Sequence, residues 1–233
     1  MEARLNSGFH SRHTPMLETT KELEELSQEV RTTASPERLQ ANAQTISDLV
    51  ASGLSASALG EGDVAPDFAL LDTHGHVLAL KTLLDRGPVV ISFYRGGWCP
   101  FCNVELRSLQ RVLPEIVQVG ASLVAISPQL PDNSLSTEEK NQLTFPVLSD
   151  VGNIVAKRFG IVFTLPTALV HANRAIGRDL VEINGEAGAT QLPMPATFVL
   201  DKSGVIRLAF VEEDWSKRLD PDIVVDTLRG LGK

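Results

Sequence analysis

The chain holds only two cysteines, Cys99 and Cys102, among its 233 residues. Two thiols three positions apart cannot staple a small domain, so a disulfide scaffold is excluded and the thiols act, if at all, as a local pair. Long apolar runs are also missing. Pro88-Val89-Val90-Ile91 falls far short of the ~20 residues that a membrane helix needs, and no membrane association is expected. Positive charge is scarce: 21 Lys+Arg against 29 Asp+Glu give a net charge of −8, the wrong sign for gripping a phosphate backbone, so nucleic acid is not an expected partner. The opening Met-Glu-Ala-Arg-Leu-Asn-Ser lacks the apolar h-region of a secretory signal, from which a cytoplasmic setting is expected. What remains is 43% hydrophobic and 21% charged, an ordinary balance for a chain that folds. Its length suits one large domain, or a domain with an extension.

Residues 1–60 read as an N-terminal helical extension. Thr14-Pro15 and Ser35-Pro36-Glu37 each pair an N-cap with proline at the first helical position, where its missing N–H costs nothing. Behind them Leu23, Leu26 and Val30, then Leu39, Ala43, Ile46 and Val50, recur at helical spacing. These two amphipathic helices are either a helical hairpin packed on the main domain or the arm of a homodimer, and the pattern does not choose. Residues 61–233 alternate strands with helices. Phe68–Leu71 and Val77–Leu80 flank a polar turn, as a hairpin does. Val89–Tyr94 is a continuous apolar and aromatic run, expected of a strand buried on both faces, and stops at Gly96-Gly97. A helix follows from Cys99, with Cys102, Leu106, Leu109, Leu113, Ile116 and Val117 on one stripe. Ser122–Ser127 predicts another buried strand, Ser134–Leu143 a helix, and Phe145–Leu148 a short strand before a helix ending near Phe159. Residues 164–192 break the rhythm and read as an insertion with a helical segment over Ala168–Ile183. Thr197–Leu200 and Val205–Phe210 flank a Gly-containing turn, and Asp220-Pro221-Asp222 caps a last helix. The expected architecture is α/β: a central mixed β-sheet flanked by helices.

The segment Phe93-Tyr94-Arg95-Gly96-Gly97-Trp98-Cys99-Pro100-Phe101-Cys102 lies where a buried strand hands over to a helix. Pro100 in the first turn places Cys99 at or near the N-cap and Cys102 one turn in. A thiolate there meets the positive end of the helix dipole and unsatisfied N–H groups, and the thiolate is the reactive form. Residues i and i+3 lie roughly 5 Å apart, inside the ~4.4–6.8 Å Cα range of a disulfide, so the pair can close without moving the backbone. The same spacing is half a zinc site, but zinc needs two further ligands. The histidines on offer are His10, His13, His74, His76 and His171, of which His74 and His76 fall in a hairpin turn. Neither a metal nor another cofactor is expected. Two small buried hydrophobes is the remaining reading, and it accounts for neither the helix-start position nor the Gly-Gly-Trp lead-in.

Trp98-Cys99-Pro100-Phe101-Cys102 after a buried strand resembles the thioredoxin-fold redox motif, with a Pro-Phe centre similar to that of glutaredoxins. Over about residues 60–230 the chain resembles the peroxiredoxins, the alkyl hydroperoxide reductase/thiol-specific antioxidant group. Gly62-Asp63-Val64-Ala65-Pro66-Asp67-Phe68 is similar to their opening strand, and Leu123–Ser127 and Phe145–Asp150 to later ones. The resemblance implies a thioredoxin-like fold. It also implies a thiol-dependent antioxidant peroxidase that reduces hydrogen peroxide or alkyl hydroperoxides and is regenerated by thioredoxin or glutathione. The chain departs from the family's Pro-x-x-x-Thr-x-x-Cys signature: Arg95 stands in the proline's place, Cys99 in the threonine's, and Cys102 on the peroxidatic cysteine. The family's later arginine is replaced by Pro195, where thioredoxins carry a cis-proline, so Met194-Pro195 is expected to be cis and to pack beside Cys99. Pro195 opening an edge strand is the plainer reading. Arg95 either supplies the lost charge or covers the loop as a surface residue. Trp98 is expected as a wall beside the thiol, and Tyr94 as core with a locally satisfied hydroxyl.

By the peroxiredoxin alignment Cys102 attacks; by thioredoxin logic Cys99 does. A thioredoxin-like thiol–disulfide oxidoreductase is the rival activity. A reading from another class makes the leader helices the output of a redox-responsive interaction protein.

Overall fold

A computed structural model describes residues 14–232, with side chains described from residue 18 onward. In chain order the elements are α1 (Thr14–Thr33), α2 (Pro36–Ser52), α3 (Leu54–Ser57), β1 (Ala69–Asp72), β2 (Val77–Ala79), α4 (Leu80–Leu84) and β3 (Val89–Phe93). Next come α5 (Pro100–Gln118), β4 (Ser122–Ser127), α6 (Pro131–Asn141), β5 (Val147–Ser149), α7 (Ile154–Arg158) and β6 (Val162–Thr164). The chain ends with α8 (Thr167–Ala175), α9 (Leu180–Asn184), β7 (Gln191–Pro193), β8 (Ala196–Leu200), β9 (Ile206–Val211) and α10 (Pro221–Leu231). Seven strands form one sheet in the order β2-β1-β5-β4-β3-β8-β9, and β6 and β7 pair separately. β3, β4 and β5 are parallel, while β1, β8 and β9 join antiparallel. The α/β expectation of a mixed sheet between helical layers holds.

β3 is central, and its alternation divides the core. Val89, Ile91 and Phe93 face one layer, where Phe93, Phe159 and Phe198 form a ring cluster with centroids 4.9–6.1 Å apart. Val90 and Tyr94 face the other layer, built from α5 and α10. β-branched and aromatic side chains suit a strand covered on both sides. α5 buries Cys102, Leu106, Leu109 and Ile116, but Val117 is 60% exposed and lies off the stripe assigned to it. A helix turns 100° per residue, so Val117 cannot share the face of Ile116.

The leader helices do not form a hairpin on one face. Leu23, Leu26 and Val30 of α1 pack into the α5–α10 layer, and Arg107 and Arg111 hold Glu22 at 3.1 and 3.2 Å. Ala41, Ile46 and Leu49 of α2 pack into the opposite layer, where α2 meets α8. The leader therefore clasps both faces of the sheet. Ser35 caps α2 as expected, accepting from the Arg38 N–H at 3.3 Å. The cap read at Thr14 and the histidines His10 and His13 lie outside the described side chains. Two strands went unread, β6 and β7, each three residues long and one of them ending in proline. The helical segment read over Ala168–Ile183 is two helices, α8 and α9, parted at Gly177, whose φ of 73° favours glycine.

Met194-Pro195 is not cis: the described residues contain no cis peptide bond. The Met194 N–H donates to Ile161 O at 2.7 Å and Pro195 O accepts from Glu212 N at 3.4 Å. The segment is thus fastened on both sides as an extended link from β7 to β8. Nor does Pro195 open an edge strand, because β8 lies between β3 and β9.

Phe159→Ala removes the centre of the phenylalanine cluster and is expected to cost about 3–5 kcal/mol, read from the midpoint of urea unfolding at unchanged m-value.

Candidate active site

The loop between β3 and α5 is held by backbone geometry and by a polar network. Gly96 has φ 142°, and a Cβ there would strike the indole of Trp98; a Cβ on Gly97 would strike Thr137 Oγ1. The Gly97 N–H donates to Gln129 Oε1 at 2.7 Å, and Gly97 O accepts from Asn103 Nδ2 at 2.9 Å. Asn141 Nδ2 donates to Asn103 Oδ1 at 3.0 Å and Arg107 to Asn141 Oδ1 at 3.3 Å, linking the loop to α6 and, through Glu22, to α1. Close approach requires glycine at both positions, and at Gly96 the positive φ requires it as well.

Cys99 is the N-cap of α5, with Pro100 at the first helical position. Cys102 sits one turn in and is fully buried, while Cys99 keeps 2% exposure. Hydrogen bonding from the Cys102 thiol holds the Cys99 thiol well below the usual range. Arg95, Arg218 and the Cys102 backbone N–H act in the same direction, against the cost of burial. Cys102 is pushed the opposite way, first by burial and then by its hydrogen bond to Cys99 and the Cys99 charge. Of the pair, Cys99 is the one whose surroundings favour the thiolate.

Two arginines supply the opposite sign. Arg218, from the segment between β9 and α10, donates from Nη2 to Cys102 Sγ at 3.3 Å, and its Nε lies 2.6 Å from Glu105 Oε2. Burial works against the Arg218 charge, but Glu105 and the cysteine sulfurs more than offset it and its pKa rises. Glu105, one turn beyond Cys102 on α5, is raised by burial and accepts from Thr197 Oγ1 at 3.4 Å. Arg95 is only 5% exposed, so it is not a surface residue covering the loop. Its guanidinium lies between two indoles, 4.3 Å from the Trp215 ring centroid and 5.0 Å from that of Trp98. Phe163 stacks on Trp215 at 6.3 Å with a 7° interplanar angle. On Trp98 lies Arg178, 4.4 Å from the ring centroid and donating to Trp98 O at 3.2 Å. Phe163, Trp215, Arg95, Trp98 and Arg178 thus form one continuous stack of rings and guanidiniums that includes the loop leading into Cys99.

Of the residues singled out from sequence, Cys99, Cys102, Arg95 and Trp98 converge. Tyr94 is fully buried beneath them, its hydroxyl among those of Ser127, Thr137 and Ser134, and burial pushes it up to about 12. Pro195 leads into Ala196, which pairs with Phe93 at the same end of β3. His74 and His76 reach Glu138 and Asp72 instead. Sequence reasoning missed Glu105, Arg218, Trp215 and Arg178. Glu105 left one signal, a carboxylate three residues after Cys102 on an otherwise apolar stripe. Arg218, 116 residues from Cys102, left none.

The AhpC/TSA family model matches residues 62–209. Over 152 residues the chain is 28% identical to a chloroplastic peroxiredoxin Q of Populus jackii, covering 65% of this chain and 60% of that one. It is 30% identical over 132 residues to the thiol-disulfide oxidoreductase ResA of a Bacillus thuringiensis strain, covering 56% and 73%. The crystal structure of peroxidoxin BcpB from Mycobacterium tuberculosis superposes with a TM-score of 0.58 at 26% identity, over 74% of this chain and 98% of that one. The fold is thioredoxin-like, of the peroxiredoxin type. The chain spans 60–65% of the length of the first curated peroxiredoxins that it matches.

Arg218→Leu strands the Glu105 charge in the interior and is expected to destabilise the chain by about 3–5 kcal/mol in chemical unfolding. Cys99 is held below the ordinary thiol range, so in Cys102→Ser, whose hydroxyl can still donate to it, its thiolate absorbance should appear at lower pH than that of a free cysteine. Adding Arg95→Leu withdraws a stabilising cation and moves that titration midpoint upward.

Proposed function

The chain belongs to the AhpC/TSA family, and we propose that it is a thiol peroxidase in which Cys99 attacks the peroxide and Cys102 resolves. The observation that carries this reading is the position of Cys99 at the start of α5, facing the Cys102 N–H, with the Arg95 and Arg218 charges beside it. The Cys99 thiolate attacks one peroxide oxygen and the O–O bond breaks. The departing alkoxide or hydroxide takes a proton, and Cys99 becomes a sulfenic acid. Arg95 and Arg218 supply the positive charge beside the sulfurs that steadies the leaving oxygen, a task for which the family pattern's threonine and arginine are missing here. The Cys102 thiol then displaces water from the sulfenic sulfur and forms the Cys99–Cys102 disulfide. Cys102, at the peroxidatic position by alignment, is the poorer attacker because burial keeps it protonated.

A thiol reductant such as thioredoxin or glutathione restores the dithiol, which suits a reducing cytoplasm. In the described residues no helix is long and apolar enough to cross a membrane. A second reading, thiol–disulfide exchange, is favoured by the likeness to ResA and by the low pKa of the first cysteine of the pair.

Stopped-flow mixing of the reduced chain with hydrogen peroxide decides between them. Cys99→Ser is expected to lose peroxide reactivity by on the order of 10³-fold or more. Cys102→Ser should consume one equivalent and stop at a sulfenic acid that a dimedone-type probe traps on Cys99. Peroxide consumption no faster than that of free cysteine, with ready reduction of insulin disulfides, would assign the chain to exchange instead.

A further inference from the structure

Three guanidiniums gather around the thiols, and the acids there do not match them. Arg218 is paired with Glu105 at 2.6 Å. Arg95 is 5% exposed, its guanidinium lies by the Trp98 and Trp215 rings, and its Nε has no hydrogen-bond partner. Arg178, on the link between α8 and α9, lies on Trp98 and donates to Asn173 Oδ1 at 3.1 Å and to Trp98 O at 3.2 Å. Both of those oxygens are neutral. The acid next to it in the chain, Asp179, pairs with Arg174 at 3.4 Å and accepts from the Val181 N–H at 2.9 Å. Among the described residues no carboxylate reaches Arg95 or Arg178 at ion-pair distance. With Cys99 ionised, three positive charges face two negative ones, Glu105 and the thiolate, and one positive charge is left over.

That surplus is open to solution at Arg178. Arg95 and Arg218 are the cations that draw the Cys99 thiol down, and both are buried, whereas Arg178 is only partly so. Burial and the like charges of Arg38 and Arg95 lower the Arg178 pKa to about 10, against the pull of Cys99. An anion arriving from solution relieves all three of those costs. Two of the Arg178 N–H groups are taken up by Asn173 and Trp98. The guanidinium fork offers the others to an oxyanion in a planar contact. Its place also sets the reach. Trp98 O belongs to the peptide bond that joins Trp98 to Cys99, so a group held by Arg178 lies a few bond lengths from the start of α5.

We infer that Arg178 is a specificity-determining residue, favouring peroxides that carry a negatively charged group a few bonds from the O–O bond over neutral peroxides of equal reactivity. The inference rests on the attack by Cys99 proposed above and names the charge of its substrate. Take a peroxy acid that also bears a carboxylate. The carboxylate pairs with Arg178, and the Cys99 thiolate attacks the terminal peroxy oxygen. The S–O bond forms as the O–O bond breaks, and the electron pair of the broken bond leaves on the acyl oxygen. Cys99 becomes a sulfenic acid that keeps the peroxy hydrogen, and the second product is a dicarboxylate. Sulfur is oxidised by two electrons and the peroxide is reduced by two, with no proton taken up.

The test uses the reduced full chain in stopped flow with monoperoxysuccinate, peracetic acid and hydrogen peroxide, at a pH where the peroxy groups are protonated and the carboxylate is not. Each rate is divided by that of 2-mercaptoethanol thiolate with the same oxidant. Ionic strength is held at ~0.15 M, where a Debye length of about 8 Å screens the field of the whole chain but not a contact with Arg178. The expected result is a monoperoxysuccinate rate above that of peracetic acid by about threefold or more. In Arg178→Gln that ratio should fall to about one, and in Arg178→Lys at least half of it should return. The hydrogen peroxide rate of each variant is the internal reference, so a disturbed loop that slows all three oxidants alike leaves the ratio where it was. A parent ratio near one, a ratio that Arg178→Gln does not lower, or one that Arg178→Lys fails to restore overturns the inference and leaves the peroxidase reading intact. Hydrogen peroxide consumption no faster than that of free cysteine overturns both.

Discussion

The ion pair of Arg218 with Glu105 has no water to fall back on: the side chains are 0% and 4% exposed. Each needs the other, because either charge alone in that interior would cost several kcal/mol. Their pairing brings the loop after β9 against α5 and leaves a guanidinium nitrogen free to reach Cys102. The thiol pair, the loop and the C-terminal segment are positioned by this contact between residues far apart in sequence. It also keeps the Arg218 guanidinium beside both sulfurs, where it favours the ionised form of each.

A second layer of constraint lies on the far side of the loop. Gly97 is held through both of its backbone polar groups by side chains of Gln129 and Asn103, and the hydrogen-bonded chain runs on through Asn141 and Arg107 to Glu22 of α1. The leader helix is thereby tied to the same network that sets the helix start. A loop of this kind gains its rigidity from satisfied buried polar groups rather than from apolar packing, and loses it as a unit when one member is removed.

The parts legible in the sequence were those written locally. Val89–Tyr94, Gly96-Gly97 and Pro100 mark a strand, a close-approach turn and a helix start within a dozen residues, and Cys99 falls on the N-cap as that pattern demands. The parts that were not legible depend on distant packing. Arg218 sits in an irregular stretch with no period, and its partner is found only once β9 and α10 have folded over α5. Pro195 was read by analogy with a neighbouring family, but backbone hydrogen bonds on both sides of it fix a different path. Arg95, ambiguous as a lone charge, is resolved only by the second indole, Trp215, arriving from 120 residues downstream.

The continuous stack has an optical consequence. The chain's only two tryptophans, Trp98 and Trp215, flank the same guanidinium of Arg95. All indole emission from the molecule therefore originates within one short column next to the thiols. A change of charge or packing around Arg95 reaches both emitters at once, so the protein carries its own unlabelled spectroscopic gauge of this one place, with no background from the rest of the fold.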